Sequence, residues 1–502
     1  MHTLPATLTV ATTVSLDNNT ADTICKGATK QYTVKFPGTV IAAQNVTVNL
    51  SYSGATASYS SLPATVVIPA GSNSANFAVT ASPTGADNAA ITITLNSINE
   101  AFATVAAPSS VQLAIDATPV LNSIGNQTTC AGTLQPAINF SGTNVDAANC
   151  TWTNNNTAIG LAASGTGSIS TFTASNTTNV PISATITVTP ISARGCSGTP
   201  ATFTITVNPT PSIANQMPTI CSGTAFSVSP TNGGGNIVPA GTTYTWTVST
   251  NPNISGASNQ AIPQDSISQT LKNLTNAIET ITYTVTPTSG TCTGQSFMII
   301  VTVNPKPGIT PKTASICSGT AFSVKPVNGN SDTVPDNTTY TWTILPNTDI
   351  SGASNQPTPQ DSISQTLSNL TNTPQTITYT VTPTAGICTG ATFPITVTVI
   401  ENVSISVNIT ASDTNICFGT AVTFTATATG DNSLAYQWKK NGFDVGTNSP
   451  IYVDTPENDD IITCVVTSSH PCVISSSVTS NSIKMKVRFR KGKSIGIKVV
   501  PK

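Results

Sequence analysis

The eight residues Cys-Ser-Gly-Thr-Ala-Phe-Ser-Val occur twice, beginning at Cys221 and again at Cys317. Around them, residues 221–304 and 317–400 align without a gap, with roughly two-thirds of positions identical. Both copies carry the run Ile-Thr-Tyr-Thr-Val-Thr, in which apolar and polar residues alternate. Such alternation is typical of a half-buried β-strand. The length of the copy matches one β-sandwich. The sequence therefore predicts an all-β chain of tandem sandwiches that form an elongated rod.

A weaker form of the repeat extends over the rest of the 502 residues. A Cys-x-Gly motif opens each of five units, and we call its cysteine the early cysteine of the unit: Cys25, Cys130, Cys221, Cys317 and Cys417. Proline-containing joints, such as Val207-Asn-Pro-Thr-Pro, separate units and stiffen the crossing between them. The predicted domains are 1–118, 119–209, 210–305, 306–401 and 402–487, with a basic tail or linker at 488–502.

Composition supports this class and narrows the function. Charged residues make up 8% of the chain, and the β-branched residues Val, Ile and Thr are abundant. These residues favour strands over helices. The strict alternation argues against disorder. With a net charge of −2, the chain lacks the basic surface that a nucleic-acid-binding protein needs, and its basic residues are concentrated in the tail. No apolar stretch approaches the length of a membrane span, and Met1-His-Thr-Leu-Pro does not resemble a secretion signal. If the protein is exported, we expect this chain to be mature or internal sequence.

Each of the last four units contains one tryptophan in a short alternating strand: Trp152, Trp246, Trp342 and Trp438. A tryptophan at mid-domain is typical of the core of an immunoglobulin-like sandwich. The alternative role is a platform on which a sugar ring stacks, which would require an exposed indole. Core packing is the favoured interpretation.

Three segments resemble known families. Asn126-Gln-Thr-Thr-Cys-Ala-Gly, Trp152-Thr-Asn-Asn-Asn-Thr-Ala-Ile-Gly and Phe203-Thr-Ile-Thr-Val-Asn-Pro resemble the PKD-like repeats of large Bacteroidota surface proteins, including adhesins of gliding motility. Tyr436-Gln-Trp-Lys-Lys-Asn-Gly and Ile462-Thr-Cys-Val-Val-Thr resemble the Ig-like module of those proteins. The first unit is similar to a Calx-β sandwich, without its acidic calcium-binding clusters. The resemblance implies export by the type IX system to the cell surface, as part of a longer protein. It also implies O-glycosylation at Asp-Ser/Thr-aliphatic motifs, whose acceptors here are Thr23, Ser266, Thr333 and Ser362.

The cysteines predict disulfides in an exported protein. Four late cysteines, each just before the last strand of its unit, accompany the early ones: Cys196, Cys292, Cys388 and Cys472. In an immunoglobulin-like sandwich, the early cysteine should stand at the start of the second strand and the late cysteine in the turn before the last strand. These positions lie at opposite ends of the sandwich, beyond the ~7 Å that a disulfide spans. An early cysteine could instead bond to the late cysteine of the next unit, which gives Cys25–Cys196, Cys130–Cys292, Cys221–Cys388 and Cys317–Cys472. A permuted topology would restore the pairing within units, and reduced cysteines are a third possibility. In the scheme that joins successive units, the disulfide partner of Cys417 would lie in a following domain or in another chain. A disulfide between Cys417 and Cys464 is the alternative.

The sequence shows no catalytic constellation. The only histidines are His2 and His470, and we expect His470 to be solvated, because it stands in an expected loop beside Pro471. We find no metal-ligand spacing and expect no cofactor or metal. The predicted function is a non-enzymatic extracellular stalk or adhesin segment that provides reach and mechanical stability. Alternatives are a subunit of a multi-chain filament and a glycan-binding module. Expected partners are neighbouring domains or chains of the same assembly, a surface polysaccharide, or a host or prey cell surface.

Overall fold

The computed structural model describes residues 12–17, 20–107 and 109–489. Within them the regular structure is β-strand, apart from the two short 3-10 turns Thr56–Ser58 and Thr157–Ile159. The buried side chains form five separate apolar cores, at residues 14–115, 138–207, 213–303, 322–399 and 409–487. Each core is enclosed by its own sheets, so the all-β prediction of tandem sandwiches is confirmed. We refer to them as domains one to five.

Domain one consists of two five-stranded sheets with the strand orders β5-β7-β3-β1-β9 and β2-β10-β8-β4-β6. Its strands are β1 (Thr12–Asp17), β2 (Asp22–Ile24), β3 (Thr29–Lys35), β4 (Val46–Gly54), β5 (Tyr59–Ser61), β6 (Thr65–Ile68), β7 (Ser74–Ala81), β8 (Ala90–Ile98), β9 (Ala103–Val105) and β10 (Ser110–Ile115).

Domain two has one main sheet, β12-β19-β18-β15-β16, and two short pairs, β11-β14 and β13-β17. Its strands are β11 (Val120–Leu121), β12 (Gln127–Cys130), β13 (Leu134–Gln135), β14 (Gly142–Thr143), β15 (Thr151–Asn154), β16 (Ser164–Thr166), β17 (Phe172–Thr173), β18 (Ile182–Thr189) and β19 (Ala201–Asn208).

Domains three and four have the same topology, as expected from their near-identical sequences. In domain three the sheets are β20-β28-β26-β22-β24, with β27 on β26, and β21-β25-β23. The strands are β20 (Thr219–Cys221), β21 (Thr224–Val228), β22 (Thr243–Val248), β23 (Ile254–Ser255), β24 (Gln260–Gln264), β25 (Ile267–Asn273), β26 (Glu279–Ser289), β27 (Cys292–Thr293) and β28 (Phe297–Asn304). Domain four repeats them as β29 (Lys312–Cys317), β30 (Thr320–Val324), β31 (Thr338–Ile344), β32 (Ile350–Ser351), β33 (Gln356–Gln360), β34 (Ile363–Asn369), β35 (Gln375–Ala385), β36 (Cys388–Thr389) and β37 (Phe393–Ile400).

Domain five is built from the sheets β38-β40-β43, β39-β47 and β42-β41-β44-β45, with β46 on β44. Its strands are β38 (Ser406–Ala411), β39 (Asn415–Cys417), β40 (Val422–Thr429), β41 (Leu434–Lys440), β42 (Phe443–Val445), β43 (Ile451–Asp454), β44 (Ile461–Ser468), β45 (Ser477–Thr479), β46 (Ile483–Lys484) and β47 (Lys486–Arg488).

Alternating side chains explain how these strands enclose a core. In β26, Ile281, Tyr283 and Val285 are buried, and the threonines between them face outward. Burial of such apolar side chains contributes ~25 cal/mol per Å². The outward threonines keep the surface polar with few charges.

One pairing recurs in all five domains and decides where the cysteines lie. The strand that leads to the early cysteine runs parallel to the last strand of the domain, as β2 with β10, β12 with β19, β20 with β28, β29 with β37 and β39 with β47. The early cysteine is level with the end of that last strand, as Cys221 is with Asn304. Each early cysteine is therefore at the end of its domain where the chain leaves for the next one.

The accessible surface of the chain matches a series of separate domains better than one compact body. The accessible surface of the chain is 27063 Å² at a mass of 51.2 kDa. A compact protein of that mass exposes about 17,000 Å², and five separate proteins of one-fifth the mass expose about 27,000 Å². The molecule is an extended series of domains.

Candidate functional site: the junctions between domains

The chemistry that the sequence singled out lies mostly at the four junctions between successive domains. In the structure a disulfide crosses each junction: Cys25–Cys196, Cys130–Cys292, Cys221–Cys388 and Cys317–Cys472. Their Cα–Cα separations are 5.3, 5.6, 5.6 and 5.4 Å, within the range of ordinary disulfides. The partners are the early cysteine of one domain and the late cysteine of the next.

The position of the early cysteine differs from the sequence-based expectation in one respect. We expected it at the start of the second strand of the sandwich, whereas it ends a strand parallel to the last one. The late cysteine lies at the opposite end of its domain, in the turn before the last strand, which we call the late turn. In domain three these positions are separated by the length of β28, which is ~27 Å for eight residues. The pairing within one domain is therefore not formed.

The turn at each early cysteine requires glycine. The glycine of each Cys-x-Gly motif has a φ between +75° and +82°, a left-handed conformation that costs glycine least: Gly27, Gly132, Gly223, Gly319 and Gly419. In three domains a threonine hydroxyl closes the turn, as Thr224 Oγ1 donates to the carbonyl oxygen of Cys221 at 2.6 Å. The turn thereby presents the cysteine to the next domain.

The late turn is held against the proline joint that precedes its own domain. A Cβ on Gly198, Gly294 or Gly390 would be 1.9, 2.0 or 2.3 Å from the carbonyl oxygen of Pro119, Pro211 or Pro307. Only glycine allows this approach. Sequence reasoning missed these three glycines, although each stands two residues after a late cysteine and repeats the Cys-x-Gly spacing. They fix the late cysteine beside the linker, where the preceding domain ends.

Hydrogen bonds connect the joints to the neighbouring domains. Thr210 Oγ1, between domains two and three, donates to the carbonyl oxygen of Ala131 at 2.7 Å. Between domains one and two, Ser192 Oγ donates to Asp116 Oδ2 at 2.5 Å. Asn402 Nδ2, between domains four and five, donates to the carbonyl oxygen of Ser318 at 2.9 Å. At these three of the four junctions, the linker is therefore bonded to the turn on one side or the other.

The fourth junction departs from the pattern. Domain five has Ile474 where the other late turns have glycine, and Val403 N donates to the carbonyl oxygen of Cys472 at 2.9 Å instead. His470, which we expected to be solvated, is partly buried there, and its Nε2 is 3.9 Å from Glu401 Oε1. Glu401 Oε2 is buried without a hydrogen-bond partner. The described residues contain no cluster of three or more His, Cys, Asp or Glu side chains that could hold a metal ion.

Three cysteines are free thiols. Cys417 is exposed, whereas Cys150 and Cys464 are buried. The Cys417–Cys464 pairing considered from the sequence is not formed, because Cys464 belongs to the core beneath Trp438 and Cys417 faces solvent. Burial raises the pKa of the Cys464 thiol to about 11. Next to Cys417, the exposed rings of Phe418 and Phe489 stack with their centroids 5.2 Å apart.

The four tryptophans are buried, with exposed fractions of 7%, 5%, 4% and 0% for Trp152, Trp246, Trp342 and Trp438. The indole Nε1 of Trp246 donates to the carbonyl oxygen of Ser258 at 3.1 Å, and that of Trp438 to the carbonyl oxygen of Ser449 at 2.9 Å. The Nε1 of Trp152 is buried without a partner. None of the four rings is available to stack on a sugar.

The four candidate glycosylation acceptors are all partly buried, but their surroundings differ. Ser266 and Ser362 lie at the bends between β24 and β25 and between β33 and β34, each after an exposed aspartate. Thr23 lies within β2, where a hydrogen bond from Lys30 lowers the pKa of Asp22. Thr333 follows Asp332, whose buried carboxylate is 2.6 Å from Lys312 Nζ. The two serines thus follow exposed aspartates, whereas the two threonines follow aspartates that are paired with a lysine.

In the described part of the chain, no helix is long and apolar enough to cross a membrane. No curated protein matches the chain in sequence. Among solved structures it resembles the N-terminal eight Ig domains of Down Syndrome Cell Adhesion Molecule (DSCAM) isoform 1.30.30, at 10% identity and a TM-score of 0.24. That alignment covers 94% of this chain and 59% of the other. The apo-form Calx CBD1 domain is 13% identical with a TM-score of 0.18, over 20% of this chain and 98% of the domain.

The family model for the PKD-like domain matches residues 122–211, 218–307 and 314–403, which together make up more than half of the sequence. These three matches coincide with the three domains whose late turns pack a glycine against a linker proline. The chain therefore belongs to the PKD-like domain family, of which it contains three tandem copies.

Proposed function

We propose that the chain is a non-enzymatic stalk segment of an extracellular surface adhesin, and that its task is to provide reach and mechanical stability. The observation that carries this proposal is the disulfide at every junction between described domains. Disulfides persist in oxidising, extracellular compartments. Bonds between domains hold successive sandwiches in line, which an enzyme or a simple linker would not need.

The glycan-binding alternative requires aromatic rings on the surface. The four indoles are buried, and the exposed rings include Phe418, Phe443 and Phe489 on domain five. This distribution favours a stalk over a sugar-binding face.

A filament subunit is the second candidate function, and one observation favours it. Cys417 occupies in domain five the position that forms the interdomain disulfide in the other four domains, and it is free and exposed beside the Phe418–Phe489 pair. Exposed apolar patches mark contact surfaces. A further sandwich with a late-turn cysteine, in the same chain or another, would complete this junction.

The cellular context remains a proposal that rests on the resemblance described above. We propose a Bacteroidota cell-surface protein exported by the type IX system, with a polysaccharide or a host or prey cell as the distant partner. Ser266 and Ser362 are the best candidates for O-glycosylation, followed by Thr23 and Thr333. Mass spectrometry of the protein from its native source would test both the export and the four acceptors.

Small-angle scattering tests the stalk. At ~35–45 Å per domain, five domains in line give a maximum dimension of roughly 175–225 Å. We expect this value for the oxidised chain and a broader distribution of dimensions after reduction, because the junctions then bend. A maximum dimension near 80 Å, as for a compact protein of this mass, would contradict the proposal.

A further inference from the structure

The disulfides connect particular strands, and this has a mechanical consequence. In domains two, three and four, the last strand starts after a late cysteine and leads through the linker to the early cysteine of the next domain. In this way residues 196–221 contain β19, the linker and β20, and residues 388–417 contain β37, the linker, β38 and β39. Each of these segments spans two domains in a largely extended conformation.

The bonds join such segments end to end into two continuous covalent routes. Route 1 runs through Cys25–Cys196, residues 196–221, Cys221–Cys388 and residues 388–417. Route 2 runs through Cys130–Cys292, residues 292–317, Cys317–Cys472 and the end of domain five. Each disulfide thus carries its route from one domain directly into the last strand of the next.

The two routes lie side by side along the molecule. In domain three, β20 of route 1 pairs in parallel with β28 of route 2, and in domain four β37 of route 1 pairs with β29 of route 2. In domain two, β12, which leads to Cys130 of route 2, pairs with β19 of route 1. In domain five, β39 of route 1 pairs with β47, which belongs to the end of route 2. The parallel pair noted in every domain is therefore one strand of each route.

We infer that the oxidised chain is an inextensible tether, in which tension between domain one and Cys417 is carried by route 1 alone. The intervening strands of domains two to five, in residues 131–195, 222–291, 318–387 and 418–471, lie outside that route. If these strands unfolded under load, the ends of the tether would not move apart. This inference rests on the disulfides and not on the proposed stalk function, since it holds whatever the chain binds.

Contour lengths show the size of the effect. From Cys25 to Cys417, route 1 contains 57 residues joined by 54 peptide links and two disulfides, and it extends to at most ~200 Å. The folded distance over the same four domains is roughly 140–180 Å, so only about 20–60 Å of further extension is available. Along the main chain the same two residues are about 390 residues apart, or ~1300 Å when extended. The disulfides therefore reduce the attainable length about sevenfold.

Single-molecule force spectroscopy on the full chain tests the inference. One handle is attached to the N-terminus and the other, through a thioether, to Cys417, the exposed free thiol. We expect no unfolding step in the oxidised chain that releases more than ~100 Å. After reduction, which leaves the thioether intact, we expect successive steps of ~270 Å, the value for a domain of about 90 residues.

Two matched double variants separate the routes. Cys221→Ser with Cys388→Ser interrupts route 1. The shortest remaining path then runs back to Cys130 and through the other two disulfides of the chain, about 92 residues longer than route 1, so the extension should grow by ~320 Å. Cys317→Ser with Cys472→Ser removes one disulfide as well, but interrupts only route 2 and should extend no further than the wild-type chain.

Three results would overturn the inference. The first is a step of ~270 Å in the oxidised wild-type chain. The second is equal extension of the two double variants. The third is the absence of steps in the reduced chain, which would show that the sandwiches themselves, and not the disulfides, resist extension. A failure of the stalk proposal would instead appear in the scattering experiment and would leave these extensions unchanged.

Discussion

The carbonyl oxygen of Pro211 lies 2.0 Å from the place where a Cβ of Gly294 would stand. Pro211 belongs to the joint that enters domain three, and Gly294 to the late turn whose Cys292 is bonded to domain two. The contact therefore holds the late cysteine beside the point where the chain enters its domain.

Replacing this glycine should weaken the junction. Gly294→Ala forces the turn away from the Pro211 backbone, and we expect a loss of about 1–3 kcal/mol in the free energy of unfolding of domain three. The matched control is Gly308→Ala, because a Cβ there meets nothing within 4 Å and its φ is not positive. Urea denaturation of the full chain followed by hydrogen exchange of domain-three peptides measures both. Equal effects of the two substitutions would show that the close approach is unimportant.

The tryptophans of domains two and three should differ in their sensitivity to phenylalanine. Trp246→Phe loses the hydrogen bond from Nε1 to the carbonyl oxygen of Ser258, whereas Trp152→Phe removes a donor that has no partner. Both substitutions leave a similar cavity. We expect Trp246→Phe to cost more in the free energy of unfolding, because only this substitution loses a hydrogen bond. The difference should be about 1 kcal/mol and not larger, because Gln269 Nε2 still donates to the Ser258 carbonyl oxygen and leaves it satisfied. Thermal unfolding resolved by domain would detect the difference, and a larger cost at Trp152 would contradict it.

Thiol labelling should divide the 11 cysteines into three classes. In the native oxidised chain at pH 8, a maleimide should label Cys417 alone. Cys464 should remain unlabelled because it is buried and its pKa of about 11 keeps it protonated. In urea, Cys150 and Cys464 should become exposed and should be labelled as well. The remaining eight cysteines are in disulfides and should be labelled only after a reductant is added. Labelling of a second thiol before urea would show that one of the four disulfides or buried thiols is misplaced.

Domains three and four should respond differently to acid despite their similar sequences. Burial acts to raise the pKa of Asp332, but hydrogen bonds from Lys312 and Thr310 outweigh it and lower the pKa. The stability that this carboxylate adds is therefore present above its unfolded pKa of about 4 and is lost as the pH falls through its lower folded pKa. Domain three has the neutral Asn236 in this place, which accepts from Ala214 N at 2.9 Å.

Hydrogen exchange between pH 5 and pH 2 measures this difference. Peptides of domain four should lose protection as the pH falls, and those of domain three should lose less. Asp332→Asn in the full chain is the control, and it should make domain four as insensitive as domain three. If the pH dependence of domain four survives this substitution, another group is responsible.

The strand pattern and the repeat could be predicted from the sequence because alternation and identity are local properties. The Tyr244-Thr-Trp run, for example, has both rings buried on one face, as its alternation requires. The connectivity of the cysteines could not be settled in this way. It depends on which strand lies beside β28, and the parallel pairing of Cys221 with Asn304 arises from contacts between residues far apart in sequence.

The junction glycines were not predicted for a similar reason. Gly198, Gly294 and Gly390 resemble ordinary turn residues in the sequence, and only the position of the linker carbonyl oxygens shows why they lack a side chain. The lack of a hydrogen-bond partner for the indole Nε1 of Trp152 also could not be predicted from the sequence, because it depends on which carbonyl groups surround the folded ring.

The repeat at 221–304 and 317–400 has a genetic consequence. Each copied unit brings one early and one late cysteine, and the bond always joins an early cysteine to the late cysteine of the following unit. Duplication or loss of a whole unit in the gene therefore leaves the number of unpaired thiols unchanged. The length of such a protein can change by recombination without creating an unpaired cysteine that would cross-link with other thiols in an oxidising environment.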